Sequence, residues 1–123
     1  MIIGTITVIM LLFGGGAGFS FDIFKEAAED VIQDKQIVKQ IKSVTKAADK
    51  EMKSWRKEAK NISKQFAEMN RNYDLTKTEM NTFFRQADSR RDEFQEKLIQ
   101  LRFQAVNLMT QKEWEAMYAR VKK

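Results

Sequence analysis

From Phe19 to Lys123 the chain runs for 105 residues without a glycine or a proline, and all five glycines lie between Gly4 and Gly18. These two residue types punctuate most folds. Glycine supplies positive φ at tight turns, and proline inside a helix removes a backbone donor at a cost of about 3 kcal/mol. A stretch lacking both has few means of making β-hairpins and many of staying helical. The expectation is an all-α chain, and 123 residues are material for one small domain. Gly-rich phosphate loops are excluded from the same stretch. Cysteine and histidine are also absent, which excludes disulfides, thiolate or imidazole metal sites, and Cys/His or Ser/His/Asp nucleophiles. We expect no enzyme and no cofactor.

Charge divides the chain in two. Residues 1–21 hold no ionisable side chain, so all 39 charged residues, 22 basic and 17 acidic for a net +5, fall in the remaining 102. The apolar run from Met1 to Phe13, followed by Gly14-Gly-Gly-Ala-Gly-Phe-Ser-Phe21, approaches the ~20 residues that a bilayer-spanning helix needs. Residues 1–21 are therefore expected to be a transmembrane anchor or signal-like segment. Three fates are open: an uncleaved anchor from Ile2 to about Phe21, a signal peptide cleaved near Ala17 or Gly18, or a buried core helix. The flank that follows is acidic, with Asp22, Glu26, Glu29, Asp30 and Asp34 against Lys25 and Lys35, and lysines become dense only from Lys39. That pattern allows a translocated C-terminal domain. The expected location is a bacterial inner membrane with a periplasmic domain, or the periplasm itself after cleavage.

The charged phase has a strong helical period. From Ala48 the apolar residues step through Met52, Trp55, Ala59, Ile62, Phe66, Met69 and Tyr73 at alternating intervals of 4 and 3, the seam of a coiled coil. Upstream it continues less cleanly through Phe24, Ala28, Val31, Val38, Ile41 and Val44. A polar cluster, Asn70 to Asp74, interrupts. A second seam runs Met80, Phe84, Ala87, Arg91, Phe94, Leu98, Leu101, Ala105 and Leu108. Two matched seams joined by a polar turn predict a long antiparallel, coiled-coil-like hairpin. The expected elements are a helix over about 22–70, a turn at 70–75, a helix over about 77–108, and a short C-terminal helix over about 111–122 carrying Trp114, Met117, Tyr118 and Val121 on one face. Arg91 is the polar misfit, and an antiparallel register sets it near Glu58 and Trp55. Phe83, Ile99 and Phe103 are apolar residues outside the seams, which predicts a third helix, a partner or self-association to cover them.

One local pattern occurs twice. Leu75-Thr76-Lys77-Thr78-Glu79-Met80 and Met109-Thr110-Gln111-Lys112-Glu113-Trp114 share a grammar of apolar, Thr, two spacers, Glu, apolar. Each predicts a helix start, with Thr76 or Thr110 as N-cap and Glu79 or Glu113 closing a capping box. Leu75 with Met80, and Met109 with Trp114, supply the hydrophobic staple.

The paired motif at helix starts, with an Arg- and Glu-rich helix between, resembles the paired Leu-Thr-x-x-Gln of the Spy/CpxP family of bacterial envelope proteins. The resemblance covers residues 74–123; Glu79 and Glu113 stand where that family has Gln, and Met109 where it has Leu. It implies a small, all-helical, exported protein acting as a chaperone for unfolded clients or as a stress-response adaptor. Metal sensing through histidine, also found in that family, has no ligands here.

Lys39, Lys46, Lys53 and Lys60 fall at b positions and Lys50, Lys57 and Lys64 at f positions, a lysine stripe opposite the seam and ~38 Å long. It is either a solvated outer face or a basic surface for an acidic partner. Nucleic acid ranks low, because no aromatic residues interleave with these lysines for base stacking. Asp88, Asp92, Glu93 and Glu96 are offset by Arg85, Arg90, Arg91 and Lys97, which predicts a salt-bridge lattice rather than acid/base catalysis. Two functional classes follow: an envelope binding protein of the Spy/CpxP type, or a single-span coiled-coil subunit of a larger complex, in a spanin-like or divisome-like role.

Overall fold

A computed structural model describes residues 21–122, and the described chain is all-α. Its helices are α1 (Phe21–Val31), α2 (Lys35–Arg71), α3 (Lys77–Asn107) and α4 (Gln111–Lys122). The expectation of an apolar membrane segment heading the fold is corrected here. Among the described residues no helix is long and apolar enough to cross a membrane. The reason is charge and length: α1 has 11 residues, among them Asp22, Lys25, Glu26, Glu29 and Asp30, and the longer helices are charged throughout. Residues 1–20, on which that expectation falls, lie outside the described residues.

A second correction concerns the helix expected over 22–70, which is two helices. Asp34 takes an extended conformation (φ −73°, ψ 111°) and its Oδ1 accepts the Gln36 N–H at 2.9 Å, capping α2. The signal is visible in the sequence as the polar run Gln33-Asp34-Lys35-Gln36, where the seam skips from Val31 to Val38. Folding back lets α1 bury Phe21, Phe24, Ala27 and Ala28 instead of carrying them into solvent on a longer rod. Each large apolar side chain so buried contributes about 1.5–3 kcal/mol.

The hairpin itself is formed by α2 and α3. Its register runs outward from the turn through Phe66 against Phe83 and Phe84, Glu58 against Arg90, Trp55 against Phe94, and Glu51 against Lys97. The turn is organised by Asn72, whose N–H donates to the Met69 carbonyl at 3.0 Å and whose Oδ1 accepts the Asp74 N–H at 3.0 Å. Asn72 itself is extended (φ −78°, ψ 110°), so this turn is held by its side-chain bond and needs no glycine at that position.

The two ends of the hairpin differ. Away from the turn, α1 packs on α2 and α4 packs on α1, enclosing a core of Phe24, Ile32, Val38, Ile41, Ala48, Leu98, Met117 and Val121. Phe24 meets Trp114 edge-on at 6.4 Å and Arg120 meets Asp30 at 2.9 Å, so α1 and α4 run in the same direction. Thr45, fully buried where the sequence favours Val44, is satisfied by donating to the Ile41 carbonyl at 2.8 Å. Toward the turn nothing described covers the hairpin. Ile62, Phe66, Met69, Phe83 and Phe84 are only half-buried, and Tyr73, expected at the seam's end, is 99% exposed.

Candidate protein-binding groove

Two helices can bury one seam but cannot enclose it. Among the described residues, nothing beyond α1 and α4 covers the flank of the α2–α3 seam. There Trp55, Ala59, Ile62, Ser63 and Phe66 of α2 face Phe83, Phe84, Ala87 and Arg91 of α3 across a cavity of about 170 Å³. That is about the space that admits a benzene-sized group. Its walls are aromatic and mutually braced. Phe66 lies 6.2 Å from Phe83 and 5.4 Å from Phe84, these two meet edge to face at 5.7 Å, and Trp55 stacks on Phe94 at 5.3 Å with 12° between planes.

The opposite flank of the seam is closed by charge. Arg90 Nε reaches Glu58 at 3.3 Å and Lys97 reaches Glu51 at 3.7 Å, both across the hairpin. Arg91, expected near Glu58 and Trp55, lines the groove with Trp55, while its neighbour Arg90 takes Glu58. Its guanidinium is held along the helix by Asp88 at 3.6 Å and Asp92 at 3.9 Å. Two donors in this wall remain unused: Trp55 Nε1 and Arg91 Nε are buried without a hydrogen-bond partner. Such groups cost about 1–3 kcal/mol each while unmade. Both atoms are shielded from solvent, so the exposed surface of the groove is essentially apolar.

The other singled-out residues lie elsewhere. At the start of α3, Thr76 Oγ1 accepts the Glu79 N–H at 3.1 Å and donates to Glu79 Oε1 at 2.9 Å. At the start of α4, Thr110 Oγ1 accepts the Glu113 N–H at 3.2 Å, and Glu113 Oε1 accepts the Thr110 N–H at 2.8 Å, a reciprocal capping box. Leu75, Met80, Met109 and Trp114 are half-buried beside these caps, and Arg102 sits over the Phe103 and Trp114 rings at 4.9 and 5.2 Å. The lysine stripe is fully on the surface: Lys39, Lys46, Lys50, Lys53, Lys57, Lys60 and Lys64 are all exposed, and Lys53 alone of them pairs, with Asp49 at 3.0 Å. At about 100° per residue the stripe lies on the far side of α2 from Trp55, Ala59, Ile62 and Phe66. It therefore does not line the groove.

The sequence period picks out Trp55, Phe66 and Phe84 but places them in a closed core, and it leaves Phe83 outside the seams. Ser63, a small residue beside the seam, is the available sign that the flank is open. Among the described residues no group of acidic side chains is placed to hold a metal ion. The chain matches no protein-family model, no curated protein and no solved structure.

Proposed function

We propose that this protein is a helical binding protein that captures apolar segments of other polypeptides in its open groove, as a chaperone or adaptor of the Spy/CpxP kind. The groove carries the reading. It offers a braced aromatic surface to apolar side chains, which suits many sequences and demands none. The capped helix starts at Thr76 and Thr110 agree with the same resemblance, whose compartment is the bacterial periplasm. In this reading the lysine stripe contributes long-range attraction to acidic clients rather than contact. The alternative is a structural subunit that docks its bare hairpin tip into one fixed partner, which the exposed Tyr73 and half-buried Met69 and Met80 would serve.

The test is light scattering of an unrelated protein unfolding by heat, with the full chain added. Protection is expected in stoichiometric amounts. Ser63→Arg, which places a long side chain in the groove without touching the core, should reduce it at least about fivefold, the loss of ~1 kcal/mol of binding. Absence of protection by the unsubstituted chain would overturn the chaperone reading in favour of the structural subunit.

A further inference from the structure

The charges of α2 are sorted by face. This helix carries eleven Lys and Arg against four Asp and Glu, a net +7 on a chain whose total is +5. At about 100° per residue, every one of the eleven except Arg56 falls within an arc of about 80° on the side away from the seam. The acids go elsewhere. Glu51 and Glu58 reach across the hairpin to Lys97 and Arg90, and Asp49, at the edge of the arc, holds Lys53 at 3.0 Å. Glu68, near the turn, is the one acid of α2 inside the arc. Away from the turn, α1 sets counter-charge beside the lysines: Asp22, Glu26 and Glu29 line a polar hollow with Lys39, Lys42 and Lys46, and Glu29 pairs with Lys42. Toward the turn that compensation ends. Lys50, Lys57, Lys60 and Lys64 are exposed, and among the described residues no ion pair engages them.

We propose that this face of α2, from Lys46 to Lys64, is a docking surface for an anionic lipid bilayer, on which the protein lies with α2 along the membrane plane. Shape and charge both fit. Lys46, Lys50, Lys53, Lys57, Lys60 and Lys64 run ~27 Å along one uninterrupted helix, and an arc of ~80° on a cylinder ~6 Å in radius departs from a plane by only ~1.5 Å. All six ammonium groups therefore meet one flat surface together, and each lysine near an acidic leaflet strengthens partitioning about fivefold. No apolar or aromatic side chain interrupts the arc, so contact stays at the headgroups and is reversed by salt. Other polyanions match less well. Single-stranded nucleic acid needs rings on which its bases stack. A duplex presents its phosphates as two ridges separated by grooves ~12 Å and ~6 Å wide, so a straight row of lysines meets few of them. The use of lysine agrees, because a point charge suits a diffuse surface potential, whereas the guanidinium fork of arginine suits fixed phosphate geometry. Trp55, Ala59, Ile62 and Phe66 lie on the opposite side of α2, so a docked molecule keeps its groove clear of lipid, whatever the groove binds.

The test titrates the full chain with vesicles of phosphatidylcholine alone and of phosphatidylcholine with an equal part of phosphatidylglycerol. Any apolar contribution from elsewhere in the chain is common to both compositions and cancels in the ratio. The anionic vesicles should bind at least about a hundredfold more tightly, and ~1 M salt, which shortens screening to ~3 Å, should remove the difference. Lys50→Glu, Lys57→Glu and Lys64→Glu together should erase most of it, with helical content checked by circular dichroism. Lys50→Gln, Lys57→Gln and Lys64→Gln, which add no acid to the helix, should give a smaller loss in the same direction and decide the matter if the reversed protein does not fold. Lys77→Glu, Arg85→Glu and Lys112→Glu shift the net charge equally at exposed positions off α2, and should keep the ratio within about threefold. Equal binding to both vesicles would overturn the inference. So would an equal loss from the two charge-matched proteins, which would leave attraction to net charge alone. Tighter binding of duplex DNA or of polyglutamate than of anionic vesicles at matched charge would assign the lysines to a soluble polyanion and overturn it as well.

Discussion

At the scale of single residues, contributions differ by what surrounds each side chain. Leu98, Ile41 and Met117 are fully buried where several helices meet, and Leu98→Ala or Ile41→Ala should cost about 2–5 kcal/mol, through lost transfer energy and the cavity left behind. Phe103→Ala, at 52% exposure, should be near neutral; urea denaturation of the set measures the contrast, and a large loss at Phe103 would mean a covering partner. The caps are intermediate. Thr110→Ala should cost about 1 kcal/mol, because the Glu113 N–H loses the hydroxyl that accepts it. Trp55→Phe is the informative conservative change: it keeps an aromatic ring against Phe94 and deletes a donor that has no partner. If the donor is unused, stability stays within about 1 kcal/mol.

Between elements, the hairpin register is the main geometric commitment. Replacing Glu51 and Lys97 by cysteine removes an exposed ion pair worth at most about 1 kcal/mol and permits linking by a short thiol-reactive bridge. The link should form within one chain. Links found only between chains would mean that α2 and α3 pair across a dimer. The break at Asp34 can be tested by substitution, since α1 meets α2 through Glu29 and Lys42 only if the chain folds back. Asp34→Leu should both remove the cap and supply the missing seam residue, favouring a continuous helix. The expected result in urea denaturation is a loss of about 1–3 kcal/mol, because a straight rod carries Phe21, Phe24 and Ala28 out of the core. A more stable variant would show that the break serves something other than packing.

Across the whole molecule, order is unevenly supported: the end holding α1 and α4 has an enclosed core, and the end at the turn has one seam between two helices. Hydrogen exchange should therefore be slowest for amides around Ile41, Leu98 and Met117 and markedly faster from Asn61 to Ala87, since regions with few buried contacts open with less than the global free energy. Uniform protection would mean that the tip is covered. Much of this design was legible without coordinates. The absence of glycine and proline after Gly18 made the chain helical, the alternating 4 and 3 steps set which faces pair, and the Thr-x-x-Glu motifs located the starts of α3 and α4, because periodicity and capping are local and are written in neighbouring residues. The break at Asp34 was written there too, as a polar gap in the seam, but local signals could not say whether an N-cap residue ends one helix or merely decorates a longer one. That choice depended on what α1 gains by folding back onto α2 and α4, a balance of buried area between segments far apart in sequence. The open flank was equally a tertiary decision. The aromatic residues from Trp55 to Phe84 have the same period as the buried core, and only the packing of whole helices separates the two: among the described residues, α1 and α4 lie against the end of the hairpin away from the turn.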